Sequence, residues 1–424
     1  MKNLIPTVKG TRDFYPEDMA IRTWLYNMVR QVSESFGYQE YEGPMLETLD
    51  LYAAKSGDEL VKEQSYVFSD RGGDLITLRP ELTPSLSRMV AQRQKQLVYP
   101  LRWWSFGPFW RYERPQKGRS REFFQWNIDL LGADTPEADA EIIAILATFF
   151  RTIGLTPKDV IILVNNRLLM DKKISSLGVP ADDKIRISNL IDRRKKMAEV
   201  EWEKNAAELG LNPSQLSNLK AILDNSELWR EYPDLVRLLS ALEAMGVSEY
   251  IRFDANIIRG LQYYTGTVFE AYDVTGDIKR SILGGGRYDN LLFDVGGEPL
   301  PAVGYALGDV IITLLLQRLG LIPTNLSKTT AQVLVTVFNE AGFPESLKLA
   351  NQLRHAGINT ACYPETAKLS KQLKYADRIG IPFALVIGPD ELREDEVAVK
   401  NLADGSQQNV KRTSISSFIR DLNR

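Results

Sequence analysis

Apolar residues recur along the chain with spacings that predict helices in some segments and strands in others. Between residues 17 and 36 they repeat every three to four positions, which predicts an amphipathic helix that begins after Pro16 and ends at Gly37. The segments "RWWSFGPFWRYE" and "REFFQWNIDLLGA" have strand character, and they predict two strands joined by a loop at residues 114–120. Residues 137–153 predict a further helix. The pattern therefore indicates mixed α/β structure.

The pattern changes twice along the chain, and the changes predict domain boundaries. Residues 172–245 are rich in helix signals and poor in strand signals, so we interpret them as a helical insertion. Strand character returns at "GTVFEAYDV" and "SILGGGRYDNLL". After the polar linker "LIPTNLSKTT", strands and helices alternate as in a βαβαβ unit with a parallel core. We expect a divided core at 1–171 and 246–322 and a C-terminal domain at 331–424.

Composition narrows the class of function. The 424 residues carry a net charge of −3, so any polyanionic partner must meet local basic patches. A single cysteine, Cys362, excludes an internal disulfide and favours a reducing compartment. A single histidine, His355, argues against zinc sites and Ser-His-Asp triads. No apolar run approaches eighteen residues, so we expect an intracellular protein without a membrane span.

The most distinctive segment is "WRYERPQKGRSREFFQW", residues 110–126, which holds four arginines and one lysine. Side chains alternate between the faces of a strand, so the odd positions of the second strand share one face. That face carries Arg121, Phe123, Gln125, Asn127 and Asp129, while the even positions are mostly apolar. A mixed-charge face with an aromatic ring suits a planar anionic ligand. An exposed hairpin with paired surface charges explains the same pattern equally well.

Three further segments have related chemistry and an ordinary structural alternative. In "RPELTP", Glu81 and Thr83 suit a ligand ammonium group, although a helix N-cap has the same composition. In "IIRGLQYYTGTVFE", the candidate residues are Arg259, Tyr263 and Tyr264, and the alternative is a core strand with tyrosines at its edge. The glycine triplet of "LGGGRYDN" is more typical of a turn than of a phosphate-binding loop.

Together these segments resemble class II aminoacyl-tRNA synthetases, and specifically the histidyl-tRNA synthetase family, over essentially the whole chain. "KGTRDFYP" is similar to the family's N-terminus, and "GYQEYEGPMLE" with the preceding helix resembles motif 1, a dimer-forming element. "FWRYERPQKGRSREFFQWNID" resembles motif 2, and "IIRGLQYYTGTVFE" and "LGGGRYDNLL" resemble the two histidine signatures. The resemblance implies an α+β core with a mixed, mainly antiparallel sheet flanked by helices. It also implies a C-terminal anticodon-binding domain of βαβ type.

The resemblance also implies a role for each candidate residue. Arg259 corresponds to the family's catalytic arginine, Arg111 contacts the α-phosphate and the histidine carboxylate, and Phe123 stacks on adenine. The implied histidine-binding residues are Glu81, Leu82, Thr83, Arg111, Gln125, Asp129, Arg259, Tyr263 and Tyr264. The implied ATP-binding residues are Arg111, Glu113, Arg119, Arg121 and Phe123.

The implied activity is histidine–tRNA ligation in the cytoplasm. ATP and L-histidine form histidyl-adenylate and pyrophosphate, and histidine is then transferred to the 3′-terminal adenosine of its tRNA. The implied partners are tRNA, histidine, ATP with Mg²⁺, and a second copy of the chain in a homodimer. No side-chain ligand of the metal is assigned.

Three positions depart from the family pattern. Motif 3 normally has an arginine for the γ-phosphate of ATP where this chain has Ile311. We expect either that another cation, such as Arg119 or Arg287, replaces its charge, or that triphosphate binding is weaker. Asp129 stands where a longer glutamate is common, and Gln262 stands where an aspartate is frequent. A synthetase for another amino acid with the same anticodon domain is one alternative, and "RGLQYY" and "GGGRYD" argue against it. The main alternative is a non-catalytic regulatory paralogue of histidine biosynthesis. The intact "RPQKGR" segment and the C-terminal domain argue against it.

Overall fold

A computed structural model describes residues 4–53, 63–116, 118–258, 263–276, 278, 280–326 and 329–422. The chain forms two compact units. The first contains the residues up to Asp13 and Leu25–Ile322, and the second contains Phe14–Trp24 and the residues from Pro323 onward. No helix in the described ranges is both long and apolar enough to cross a membrane.

The strands of the described residues are short except for one central hairpin. In chain order they are β1 (Gln39–Glu40), β2 (Leu46–Thr48), β3 (Tyr66–Ser69), β4 (Leu75–Leu78), β5 (Leu101–Trp110), β6 (Glu122–Leu131), β7 (Val160–Asn166), β8 (Ile251–Phe253), β9 (Thr267–Asp273), β10 (Leu283–Arg287), β11 (Ala302–Gly308), β12 (Val333–Val335), β13 (Thr360–Cys362), β14 (Phe383–Val386), β15 (Glu396–Asn401) and β16 (Gln407–Lys411).

The helices of the described residues begin with the predicted N-terminal one. They are α1 (Pro16–Ser35), α2 (Leu49–Ala53), α3 (Thr83–Arg93), α4 (Pro136–Thr152), α5 (Arg167–Ser176), α6 (Lys184–Arg193), α7 (Glu199–Glu208), α8 (Pro213–Asp224), α9 (Pro233–Ala244), α10 (Leu291–Asp294), α11 (Asp309–Leu319), α12 (Phe343–His355), α13 (Leu369–Ile379), α14 (Pro389–Arg393) and α15 (Ile415–Leu422).

The first unit is built on a large mixed sheet. Within the described residues its strand order is β1-β5-β6-β11-β10-β9-β7-β8. The pairs β1–β5 and β7–β8 are parallel, and the pairs between them are antiparallel. The predicted hairpin of β5 and β6 is its longest ladder, and it runs from the pair Leu101–Leu131 to the pair Trp110–Glu122. The mixed, mainly antiparallel sheet expected from the resemblance is therefore confirmed.

The helix α4 forms the apolar core behind this hairpin. It begins where the Thr135 hydroxyl accepts a hydrogen bond from the Ala138 amide, 3.2 Å away, and Pro136 occupies the first turn. Phe149 on α4 packs against Trp126 of β6 with ring centroids 5.0 Å apart. Both rings are fully buried, and burial of each large side chain stabilises the fold by about 1.5–3 kcal/mol. The apolar face of β6 therefore holds the hairpin against the core.

Residues 167–250 form the helices α5, α6, α7, α8 and α9, which are joined by short turns and 3₁₀ segments. The segment contains no strand, in agreement with its composition. Trp202 anchors it, because this fully buried indole donates a hydrogen bond of 2.8 Å to the Leu190 carbonyl.

The second unit has a sheet of order β13-β12-β14-β15-β16. The first three strands are parallel and alternate with α12 and α13, as the sequence predicted. An antiparallel hairpin of β15 and β16 and the helix α15 complete the unit, and the sequence pattern did not predict them. Ile415 and Ile419 of α15 are fully buried in the core of this unit.

The glycine triplet before Arg287 does not form the turn that its composition favoured. Gly284, Gly285 and Gly286 lie within β10, at the centre of the large sheet. A Cβ at Gly285 would approach the Gly304 carbonyl to 2.5 Å, and one at Gly286 would approach the Tyr264 ring to 2.8 Å. Glycine is needed here because neighbouring strands and side chains pack too closely for a larger residue.

Candidate active site

A cavity of about 610 Å³ opens on one face of the large sheet. Its floor is made of small residues on β11 and β10, namely Gly304, Ala306, Gly308 and Gly284. A Cβ at Gly304 would overlap the Asp129 carboxylate. The cavity exists because glycine and alanine at these positions leave space above the sheet, and polar side chains of the neighbouring strands line that space.

The polar face predicted for the hairpin points into this cavity. Phe123, Gln125, Asn127 and Asp129 of β6 all line it. Gln125, Asn127 and Asp129 are each less than a tenth exposed, so the exposed-hairpin alternative is wrong. The Gln125 Oε1 and Asn127 Nδ2 atoms have no hydrogen-bond partner among the described residues. Burying a polar atom without a hydrogen bond destabilises the fold, unless a ligand or a water molecule supplies that hydrogen bond.

Two carboxylates and two tyrosines form an acidic cluster in the cavity: Glu81, Asp129, Tyr263 and Tyr288. The Tyr288 hydroxyl donates a hydrogen bond of 2.6 Å to Asp129, and the Tyr263 hydroxyl donates one of 3.4 Å to Glu81. Burial raises the pKa of Asp129 to about 7, although the Tyr288 hydrogen bond opposes this shift. A buried carboxyl group of this kind is suited to a ligand that brings its own hydrogen-bond donor or positive charge.

The turn before α3 does not use Thr83 as a helix cap. The N-cap position is Leu82, which makes no side-chain cap hydrogen bond, and Thr83 is the first residue of the helix. Glu81 and Thr83 both line the cavity, whereas Leu82 is not in its wall and its side chain is buried. The binding interpretation therefore fits this turn better than the capping alternative.

Arg119 and Arg280, with the carboxylate of Glu113, form a basic cluster in the same cavity. Arg119 and Glu113 make an ion pair. Ile311 also lines this part of the cavity. Its Cγ1 atom would lie 3.5 Å from a Cβ atom if Gly118 had one, so the two residues are close neighbours. Ile311 therefore lines the same cavity as Arg119 and lies beside Gly118, the residue that precedes Arg119.

Arg111 lies between the two clusters. Its Nε atom donates a hydrogen bond of 2.9 Å to the carbonyl of Pro80, the residue before Glu81. Its guanidinium group also lies 5.4 Å from the centre of the Phe123 ring. Phe123 in turn stacks on the buried ring of Phe109, with centroids 6.1 Å apart. The structure thus brings a guanidinium group and an aromatic platform together beside the turn that carries Glu81.

Two predicted cations lie outside the cavity wall. The Arg121 Nε atom donates to the Glu113 carbonyl at 3.1 Å, and its guanidinium packs 4.2 Å from the centre of the Tyr112 ring. Arg287 is buried and holds the Asp139 carboxylate at 2.6 Å. The expectation that Arg287 replaces the charge missing at Ile311 is therefore wrong, because the guanidinium group of Arg287 is already paired with the buried Asp139 carboxylate.

The sequence interpretation did not assign several residues that line the cavity, namely Asn127, Lys196, Glu270, Tyr272, Arg280 and Tyr288. Asn127 was detectable, because it lies on the polar face of β6. Lys196, from the helical segment, and Arg280, from the segment before β10, carried no local signal. Arg259 and Gln262 lie outside the described residues.

Comparisons with known proteins show which family the chain resembles over its length. A family model described as "Histidyl-tRNA synthetase" matches residues 10–309, and one described as "Anticodon binding domain" matches residues 332–422. The chain is 38% identical over 413 residues to the chloroplastic/mitochondrial histidine–tRNA ligase of Arabidopsis thaliana, covering 95% of this chain and 84% of that protein. It is 37% identical over 432 residues to the histidine–tRNA ligase of Haloarcula marismortui, covering 99% of this chain and 98% of that protein. The crystal structure of histidyl-tRNA synthetase from Nostoc sp. PCC 7120 superposes with a TM-score of 0.83 at 26% identity, covering 99% of this chain and all of that one.

The large mixed sheet with its central cavity and the separate βαβ-type unit are those of a class II aminoacyl-tRNA synthetase. Both family models and the curated relatives indicate which synthetase of this class it is. The chain belongs to the histidyl-tRNA synthetase family, and its activity is the ligation of histidine to tRNA. The regulatory-paralogue alternative is not favoured, because relatives that match nearly the full length are ligases.

Proposed function

We propose that the acidic cluster binds histidine and that the basic cluster binds ATP. The observation that supports this proposal is the separation of charge within one cavity, with Arg111 between the two clusters. Histidine brings an ammonium group and an imidazole, which suit carboxylates, while the triphosphate suits guanidinium groups. A carboxylate of the amino acid and the α-phosphate would then meet at Arg111.

In this proposal the acidic cluster recognises histidine at both of its basic groups. Glu81, Thr83 and the unpaired Oε1 atom of Gln125 accept hydrogen bonds from the α-ammonium group. Asp129 accepts a hydrogen bond from the imidazole, with Tyr263 and Tyr264 around the ring. The buried position of Asp129 favours this pairing, because a donor from the ligand satisfies a carboxylate that solvent does not reach.

The reaction then needs no base from the protein. Adenine stacks on Phe123 beside Glu113, and the histidine carboxylate attacks the α-phosphate in line and displaces pyrophosphate. Arg111 and Arg259 neutralise the developing charge, while Arg119 holds the terminal phosphates. Positioning supplies most of the rate enhancement, because both reactants are held in one cavity.

Mg²⁺ accompanies the triphosphate in this proposal. No group of three or more side chains able to hold a metal occurs in the part of the chain that the structure describes. Mg²⁺ usually keeps several waters and binds one or two carboxylates together with substrate phosphates. Glu113 and Glu270 line the cavity and supply carboxylates of this kind. When bound, the ion would neutralise part of the phosphate charge.

We propose that residues 331–424 bind the tRNA anticodon. The match of residues 332–422 to an anticodon-binding family supports this assignment. Residues 1–171 and 246–322 would then form the catalytic core, with residues 172–245 as its helical insertion. The unpaired cysteine, Cys362, is consistent with the cytoplasm as the place of the reaction.

We propose that the active form is a homodimer. The small sheet of order β2-β4-β3 places Leu46, Tyr66, Phe68, Ile76 and Leu78 on one face, because these residues are paired or alternate with one another. Leu46 and Phe68 are 48% and 44% exposed. An exposed apolar face of this kind is typical of a protein–protein interface.

ATP–pyrophosphate exchange with a panel of amino acids tests the proposed chemistry. Exchange that depends on histidine alone is the expected result. A folded protein that exchanges pyrophosphate with no amino acid would contradict the proposal and favour the regulatory alternative. Exchange with a different amino acid would show that the acidic cluster has been assigned to the wrong substrate.

A further inference from the structure

The basic cluster contains a cation that the family pattern does not predict. Arg280 lies in the segment between β9 and β10, and Ile311 lies in the first turn of α11. Both side chains line the same cavity. An isoleucine cannot pair with a phosphate, so the chain lacks the cation that the family pattern has at position 311 and has another, Arg280, in the wall of the same cavity.

Among the described residues, the charge of Arg280 is only partly compensated. Its electrostatic neighbours are the guanidinium of Arg119 and the carboxylate of Glu113. Glu113 is already paired with Arg119. Within the part of the chain that the structure describes, Arg280 makes neither a hydrogen bond nor an ion pair. Burial and the charge of Arg119 lower the pKa of Arg280, but an arginine stays charged at any physiological pH.

Two guanidinium groups that share one carboxylate have an excess of positive charge. Partial burial makes this arrangement unfavourable until an anion enters. Each planar guanidinium can hold two phosphate oxygens at once, so a pair of them suits a polyphosphate better than a single carboxylate ligand.

Other described cations near this part of the cavity are engaged elsewhere. Arg287 holds Asp139 at 2.6 Å, and Arg12 holds Asp309 at 2.8 Å. Lys196 lines the cavity, but its Nζ atom lies 2.6 Å from the Asp192 carboxylate. Among the described residues, Arg280 is therefore a cavity-lining cation with neither a hydrogen bond nor an ion pair, whereas Arg111 still donates to the Pro80 carbonyl.

We propose that Arg280 binds the β- and γ-phosphates of ATP together with Arg119, and so replaces the arginine that the family pattern has at the position of Ile311. The proposal rests on the ATP site assigned above. It predicts that Arg280 recognises the part of ATP that leaves as pyrophosphate. Binding of AMP, which lacks both of these phosphates, should not depend on Arg280.

The test measures the affinities of ATP, AMP and histidine by calorimetry for the full-length chain and its variants. We expect Arg280→Met to weaken ATP binding about tenfold, which corresponds to about 1.4 kcal/mol. AMP and histidine affinities should change less than about twofold. The ATP affinity of Arg280→Lys should lie between those of the wild type and Arg280→Met, because lysine keeps the charge but lacks the planar guanidinium group. Arg252→Met, at an exposed position of β8 outside the cavity wall, is the matched control and should bind ATP like the wild type.

Two results would overturn the role of Arg280. One is ATP affinity in Arg280→Met that equals the wild type, and the other is an equal loss of ATP and AMP affinity, since that would indicate a structural effect. Failure of the wild-type chain to bind ATP would instead reject the ATP site itself. A thermal unfolding curve for each variant confirms that the compared proteins are folded.

Discussion

The buried carboxyl group of Asp129 should make histidine binding depend on pH. Its pKa of about 7 lies above the ordinary value, so the group is protonated below pH 7 in the free protein. A protonated carboxyl group accepts the imidazole donor poorly, so histidine must displace a proton to bind. We expect histidine affinity to fall as the pH is lowered from 8 to 6, by up to about tenfold per unit below pH 7.

Calorimetric titrations of wild type and Asp129→Asn with histidine across this range check the prediction. The imidazole of free histidine also titrates near pH 6.5, and this titration contributes to the curves of both proteins. The asparagine variant should bind more weakly at pH 8 and show a flatter pH dependence. Curves of equal slope for the two proteins would show that Asp129 does not titrate in this range.

Arg287 follows a glycine-rich segment of the kind that can bind phosphate, but its role in this structure is to hold a buried ion pair. Its guanidinium and the Asp139 carboxylate are buried together, and it also donates to the Ala133 carbonyl at 3.1 Å. We expect Arg287→Met to lower the free energy of unfolding by about 3–5 kcal/mol, because Asp139 keeps a buried charge without its partner. Urea unfolding measures this loss. A stable Arg287→Met protein with weakened ATP binding would contradict the structural role.

At the scale of elements, the floor of the cavity depends on small residues in β11. A Cβ at Gly304 would overlap the Asp129 carboxylate and come within 2.6 Å of the Ile128 carbonyl. We expect Gly304→Ala to destabilise the fold by about 1–3 kcal/mol and to weaken histidine binding more than tenfold. A Cβ at Gly308, on the same strand, meets no heavy atom within 4 Å.

Thermal unfolding of Gly304→Ala and Gly308→Ala compares two chemically identical changes on one strand. Gly308→Ala should unfold within a few degrees of the wild type, because its methyl group enters open space. Equal destabilisation of both variants would indicate that strand flexibility, rather than contact with Asp129, determines the effect.

Elements with a strong local pattern were predictable, and contacts between distant segments were not. The alternation along β6 predicted which residues share the cavity, since the period of a strand is a local property. The glycines of β10 were interpreted wrongly, because their function depends on neighbouring strands that local composition does not reveal. Arg280 and Lys196 reach the cavity from segments without a motif, so only the structure identifies them. The hairpin of β15 and β16 was missed because its mostly exposed second strand has little apolar alternation.

At the scale of the whole molecule, the exposed apolar face of the β2-β4-β3 sheet should join two copies of the chain. Phe68→Glu places a charge on this face, beside Ile76 of the central strand β4. We expect the variant to sediment as a monomer under conditions in which the wild type is a dimer, because burying an unpaired carboxylate costs more than the interface gains there. Phe338→Glu is the matched control, since Phe338 is 52% exposed and belongs to the second unit. Sedimentation equilibrium separates the outcomes: a dimeric Phe68→Glu protein would show that the second copy binds elsewhere, and a monomeric wild type would reject the homodimer.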